Sequence, residues 1–238
     1  MALLYESTIP VVPGIELRVP SVREVYENQE SFYGSVAIFL STPYDLMLTL
    51  HQQGIDFSTI TSWEMFCKLF GVLKNYDTSL LFKDLDLTEF IPVKVKDTGE
   101  HIFYNPRTDV RLDKLAYNKI SKILCKLLFT EKVNKHAANE EAKKYLLDLA
   151  EKKAKRRARK KDGAERSQLE DIIISLVNTN EFPYNYETVK DISIFQLYAS
   201  LHQVSSKIKF DNLMIGCYAG TVDTKTLDPK DLTWFYNI

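Results

Sequence analysis

The sequence predicts a mainly helical fold of the α+β class, with a small β-hairpin element and a long charged helix. Three observations predict it: helix-start motifs recur along the chain, apolar residues follow them at helical spacing, and a short central stretch has a hairpin pattern. The 238 residues are 45% hydrophobic and 26% charged, which is the balance of an ordinary globular protein. A chain of this length forms one large domain or two small ones.

Helix starts are marked by two kinds of cap. In a capping box the cap hydroxyl accepts from the N3 amide, and an acidic N3 side chain reaches back to the cap. This motif occurs at Ser21–Glu24, Thr61–Glu64 and Ser167–Glu170. Thr42–Pro43 and Asp228–Pro229 place a polar cap before a proline, where the missing proline N–H is harmless.

The strand signal lies mainly in the middle of the chain. Ile91–Val95 and His101–Tyr104 flank a short segment with turn-forming Asp and Gly, so we predict a hairpin there. Ile15–Val19 is a further candidate strand.

Apolar residues at helical spacing predict the helices themselves. A further helix carries Glu140 and Glu141 in its first turn, where acids favour the positive end of the helix dipole. The apolar sets are Leu112, Leu115, Ile120, Ile123, Leu124, Leu127 and Leu128; Ala142, Tyr145, Leu146 and Leu149; Leu169, Ile172, Ile173, Leu176 and Val177; and Ile194, Leu197, Tyr198, Leu201, Val204 and Ile208.

A strongly basic run continues the long charged helix, which we place at about residues 138 to 162. Its cations surround the helix, so this segment is expected to project into solvent. Three interpretations remain open: a solvated helix extension, docking onto an acidic protein, and contact with nucleic-acid phosphates, although stacking aromatics are absent from the run. The candidate interaction residues are Lys152, Lys153, Lys155, Arg156, Arg157, Arg159, Lys160 and Lys161.

A second candidate interaction site is the aromatic cluster Trp234, Phe235 and Tyr236. Such residues are common anchors of protein interfaces, and they are also common core residues. Both interpretations stay open for this cluster.

Motifs of catalysis, metal binding and cofactor binding are not recognised. The four histidines do not stand at zinc-ligand spacing, and the scattered glycines form no phosphate-binding loop. We therefore expect no metal, no cofactor and no enzymatic activity. The net charge of −1 also argues against a protein coated in basic charge for nucleic acid, so any basic function is local.

Cysteine usage and hydropathy predict the compartment. Three sparse cysteines suit a reducing environment. The first residues lack the pattern of a signal peptide, and no apolar run is long enough for a bilayer, so we expect a cytoplasmic protein that does not bind membranes. We divide the chain into an α+β part (1–130), the long charged, basic helix (131–165) and a helical C-terminal part (166–238).

Six short sequence segments carry a resemblance to a known family over most of the chain, and the basic helix lies between the fourth and the fifth of them. In order they are Thr42–Leu46, Gly54–Phe57, Trp63–Phe66, Asp77–Phe82, Ser193–Leu197 and Leu213–Thr221. Their order and spacing resemble an uncharacterised protein family of tailed bacteriophages and prophages of Gram-positive hosts. The end of the chain, with a helix, a basic Lys207–Lys209 and a small-residue segment, is similar to phage tail-assembly chaperones.

This resemblance implies a non-enzymatic role in phage tail assembly in the host cytoplasm. The implied partners are the tape-measure protein and tail-tube subunits, with self-association to cover a long helical partner. A structural virion component, such as a baseplate or tail subunit, is the first alternative, because the basic helix is more prominent than in such chaperones. The second alternative is nucleic-acid binding through the basic helix.

Overall fold

The computed structural model describes residues 3–95, 99–133, 137–159 and 167–234. Within these ranges the chain forms nine α-helices and two small antiparallel sheets, which confirms the mainly helical α+β class. Among the described helices, none combines the length and apolar character needed to cross a membrane.

The first sheet is a hairpin of β1 (Thr8–Val12) and β2 (Ile15–Arg18). Ile15 and Leu17 on β2 are each 1% exposed, because alternate side chains of a strand share one face. The second strand matches the candidate strand in the sequence. The first was not predicted, since Pro10 interrupts it; proline is tolerated because the strand lies at a sheet edge.

Five helices follow the hairpin: α1 (Val22–Glu27), α2 (Gln29–Leu40), α3 (Met47–Gln52), α4 (Ser62–Leu73) and α5 (Ser79–Phe82). The capping boxes predicted at Ser21 and Thr61 are both present. The helix start predicted at Pro43 is wrong, because residues 43–46 form a turn and α3 begins at Met47. The Asp45 carboxylate holds this turn by accepting from the Thr42 amide at 2.8 Å.

The second sheet has the strand order β3 (Ile91–Lys94), β4 (His101–Asn105) and β5 (Val110–Leu112). The first two strands form the predicted antiparallel hairpin. The third strand was not predicted, because three residues are too few to show an alternating pattern.

Helix α6 (Lys114–Leu127) begins after its N-cap Asp113, whose carboxylate accepts from the Ala116 amide at 2.8 Å. The apolar set predicted for this helix is wrong in its first two members. Leu112 belongs to β5, and Leu115 is 59% exposed. The other members of the set face the core: Ile120 and Leu124 are completely buried.

Three helices form the remainder: α7 (Glu140–Arg159), α8 (Gln168–Val177) and α9 (Ile194–Tyr218). The first matches the predicted charged helix, and α8 begins with the predicted capping box at Ser167. Short 3₁₀ helices lie at Leu87–Glu89, Thr188–Asp191, Thr224–Thr226 and Pro229–Leu232. The start predicted at Asp228 caps the last of these.

Aromatic rings fill the centre of the main core. Phe66 is completely buried, and its ring centroid lies 4.8 Å from that of Phe39 and 4.7 Å from that of Tyr117. The same apolar cluster includes Leu169 and Leu197, so residues before and after the charged helix share one core. A smaller cluster around Tyr44 and Phe57 receives Leu146 and Leu147 from α7.

The starts of α1 and α9 are joined to each other. The Val22 amide donates to the Ile192 carbonyl at 2.9 Å, and the Ile194 amide donates to the Pro20 carbonyl at 2.8 Å. Each N-cap is itself part of a capping box, and the box at Ser193 uses Gln196 in place of an acid. This paired helix start fixes where α9 enters the core.

A half-buried lysine anchors the chain between α6 and α7. The Lys132 ammonium donates to the Phe39 carbonyl at 3.1 Å and to the Tyr117 hydroxyl, and lies 4.6 Å from the centre of the Tyr117 ring. Burial lowers the pKa of Lys132 to about 8, against the opposing charges of Cys125 and Asp45.

Replacing Ser193 by Ala is expected to lower the free energy of unfolding by about 1 kcal/mol, because the N3 amide of α9 loses its acceptor. Chemical denaturation measures this change. Ser193→Thr is the matched control, since it keeps a hydroxyl at the cap. Equal stability of the Ala and Thr variants would contradict the assigned capping box.

Lys132→Met is expected to change the pH dependence of stability. An unfolded lysine has a pKa of about 10.4, so between about pH 8 and 10.4 the unfolded chain binds more protons at this residue than the folded chain. The contribution of Lys132 to the free energy of unfolding therefore rises with pH across this window. The wild type becomes more stable relative to the variant as the pH increases. A constant difference between their unfolding free energies from pH 7 to 10 would refute the lowered pKa.

Candidate functional site

Helix α9 carries an apolar seam along its whole length. Residues at alternating spacings of three and four, the heptad pattern of paired helices, define it. They are Ile194, Leu197, Leu201, Val204, Ile208, Asp211, Ile215 and Tyr218. Helical spacing in the sequence predicts this set only as far as Ile208.

The exposure of the seam rises steeply along the helix. Ile194 and Leu197 are completely buried and Val204 is 8% exposed, whereas Ile208, Ile215 and Tyr218 are 43%, 65% and 89% exposed. Within the described residues, the apolar core has no α9 member beyond Val204. At about 1.5 Å per residue, α9 therefore continues for about 21 Å past its last buried position. We call Ile208, Asp211, Ile215 and Tyr218 the exposed seam.

A second apolar stripe lies on the other side of the same half-helix. Its members recur at positions i, i+3, i+4 and i+7 and are half-buried: Phe210, Leu213, Met214 and Cys217. A helix with apolar residues on two sides is typical of one that packs against more than one neighbour.

The chain that follows α9 folds back without covering the exposed seam. Gly220 adopts a left-handed conformation with φ of 71°, and the Val222 amide donates to the Gly216 carbonyl at 3.2 Å. Gly216 stands about 100° around the helix from Ile215 and about 160° from Tyr218. The returning segment therefore contacts a different side of α9, and the exposed seam faces solvent.

An ion-pair network holds the middle of α9. Lys207 donates to Asp211 at 2.8 Å and to Glu181, in the segment after α8, at 3.3 Å. These hydrogen bonds raise the pKa of Lys207. Asp211 is the polar member of the exposed seam, and a single polar residue in such a seam is a common determinant of pairing register.

Helix α7 is anchored at its first turns, within the residues whose side chains the structure describes. Lys143 donates to Asp56 at 2.8 Å and to Glu140 at 2.7 Å, and this contact lowers the pKa of Asp56 to about 2. The Ala137 amide donates to the Tyr44 hydroxyl at 2.8 Å just before the helix. Past Ala150 the described side chains of α7 are exposed.

The predicted basic site lies on this projecting end. Lys152, Lys153, Lys155 and Arg156 are all exposed, as the sequence predicted for this segment. Arg157 and Arg159 belong to α7 by their backbone. Lys160 and Lys161 lie outside the described residues.

The predicted aromatic site is described only at Trp234, which is half-buried; Phe235 and Tyr236 lie outside the described residues. Among the described residues, no group of three or more His, Cys, Asp or Glu side chains stands close enough to hold a metal ion. The structure does not bring the aromatic site and the basic site together in any described contact.

The C-terminal part of the chain has a recognisable relative. Residues 158–238 match the family described as the YomV second domain, which is associated with phages and prophages. No curated protein and no solved structure matches the chain. The matched range contains α8, α9 and the exposed seam, so this part is similar to a phage-associated family. The finer resemblance to tail-assembly chaperones stays a prediction.

Replacing Ile208 and Ile215 together by Ser is expected to lower the free energy of unfolding by about 1–2 kcal/mol for the pair, because the two side chains are already 43% and 65% exposed. Leu197→Ala, on the buried half of the same seam, should cost about 2–5 kcal/mol. Denaturant unfolding at low protein concentration compares the two. A large loss in the double Ser variant would show that the exposed seam is buried in the isolated chain.

Proposed function

We propose that the protein is a non-enzymatic phage tail-assembly protein, a chaperone whose exposed seam pairs with a helical segment of a tail protein such as the tape measure. The observation that carries this proposal is the continuation of the α9 seam beyond the core, with Ile215 and Tyr218 65% and 89% exposed. The family match of the same region supports a phage setting.

The spacing of the exposed seam favours a helical partner. Side chains at alternating three- and four-residue intervals lie along one line of a helix and interlock with a second helix that has the same repeat. A tape-measure protein is long and helical by the resemblance described above, so it offers such segments.

The size of the exposed seam favours a reversible contact. Complete burial of one Ile side chain contributes about 1.5–3 kcal/mol to the binding free energy. Micromolar affinity corresponds to a net binding free energy of about 8 kcal/mol, which remains after the entropy lost on association has been subtracted. Three partly exposed apolar residues with one carboxylate therefore favour weak, readily reversible binding. Reversible binding is what a chaperone requires, because it must leave when its partner assembles.

Co-expression with the tape-measure protein of the same phage tests this proposal. The wild type should keep that protein soluble and co-purify with it, and the Ile208→Ser/Ile215→Ser variant should lower recovery at least about tenfold, the effect of about 1.4 kcal/mol. Val72→Ser/Ile91→Ser is the matched control, since Val72 and Ile91 are 43% and 50% exposed on other elements.

Two results would contradict the proposal. One is a tape-measure protein that precipitates with and without the wild-type chain. The other is a complex that survives loss of the exposed seam. Mass spectrometry of purified phage particles distinguishes a chaperone from a structural virion component. A chaperone is absent from mature virions, whereas a baseplate subunit is present.

A further inference from the structure

The projecting end of α7 concentrates the positive charge of the molecule. The net charge is −1 although residues 152–159 hold six cations and no acid, so the rest of the chain carries seven more acids than cations. The net charge is therefore close to zero although the charges are unevenly distributed, with a basic helix end and an acidic remainder of the chain.

The end of α7 extends past the anchored part of the helix. Arg159 lies nine positions beyond Ala150, the last position of α7 described as partly buried, which is a helix length of about 14 Å. The screening length at physiological salt is about 8 Å. Acids of the anchored part of α7 therefore act weakly on a polyanion held at the last turn, whereas Glu151 stays beside Lys155.

The side chains of this end are available for contact. Among the described residues, Lys155 forms an ion pair, 3.6 Å from Glu151, and both partners are exposed. Exposed ion pairs of this kind contribute little to stability, so a polyanion readily displaces Glu151 from Lys155. Lys152, Lys153 and Arg156 form no ion pair within the described part of the chain.

We propose that the basic end of α7 binds double-stranded nucleic acid through its phosphates, independently of base sequence. An acidic protein fits less well, because the cores of protein interfaces are depleted in charge and the apolar residues of this segment are the small Ala154 and Ala158. Lys153 and Lys155 lie about 200° apart around the helix. Cations on opposite faces suit a groove that has phosphates on both walls.

The dimensions of a duplex agree with this assignment. The major groove is about 12 Å wide, and an α-helix with its side chains is about 10–12 Å across. Asn, Gln and aromatic residues, which read base edges or stack on bases, do not occur in residues 151–161. Binding is therefore expected to rest chiefly on phosphate contacts, which Lys and Arg make to any sequence.

The test is titration of a random-sequence duplex of about 30 base pairs with the full chain at several salt concentrations, followed by fluorescence anisotropy. The affinity of the wild type should fall steeply with salt. The quadruple variant Lys152→Gln, Lys153→Gln, Lys155→Gln, Arg156→Gln should bind more weakly and should lose about 3 to 4 from the log–log salt slope, at about 0.9 per phosphate contact.

The matched control removes the same charge from exposed lysines of α4 and α6. It is the variant Lys68→Gln, Lys114→Gln, Lys122→Gln, Lys126→Gln. This variant should keep the wild-type slope. An equal loss in the control would overturn the proposal, because it would assign binding to net charge alone.

Two further outcomes also overturn it. One is the absence of duplex binding by the wild type at about 50 mM salt, where phosphate contacts are strong. The other is binding of poly-glutamate as tight as that of the duplex, which would point to an acidic protein partner. The proposal does not rest on the proposed function, since the seam variants leave the basic end of α7 intact.

Discussion

The paired helix start at Ser21 and Ser193 is the constraint on which the C-terminal structure depends. The first amides of a helix have no partner within that helix, so each must find an acceptor elsewhere. The amides of Val22 and Ile194 find theirs in the opposite segment, at 2.9 and 2.8 Å. This exchange places α9 beside α1 and buries its first turns, and it thereby sets where the rest of α9 leaves the core.

Two helices extend beyond the core with opposite chemistry. Helix α9 continues its apolar seam past Val204, while α7 runs from its anchor at Lys143 into a cationic end. An exposed apolar seam is stabilised by covering it with another apolar surface, whereas an exposed cationic helix is well solvated and attracts anions. The two surfaces are therefore suited to different partners.

Helix-forming regions could largely be predicted because their signals are local. The boxes at Ser21, Thr61 and Ser167 act within four residues, and each is present. The misses have identifiable causes. Strand β5 is too short for a pattern, α3 starts after the turn held by Asp45, and the box at Ser193 departs from the acidic pattern because its N3 residue is Gln.

The sequence by itself determined the periodicity of α9 and the density of cations in α7, because both follow from spacing along one helix. Tertiary structure decided which part of each pattern is buried. The same three-four spacing serves the core at Leu197 and faces water at Ile215, since the core ends near Val204. Spacing carries no information about where neighbouring elements stop, and only the packed chain supplies it.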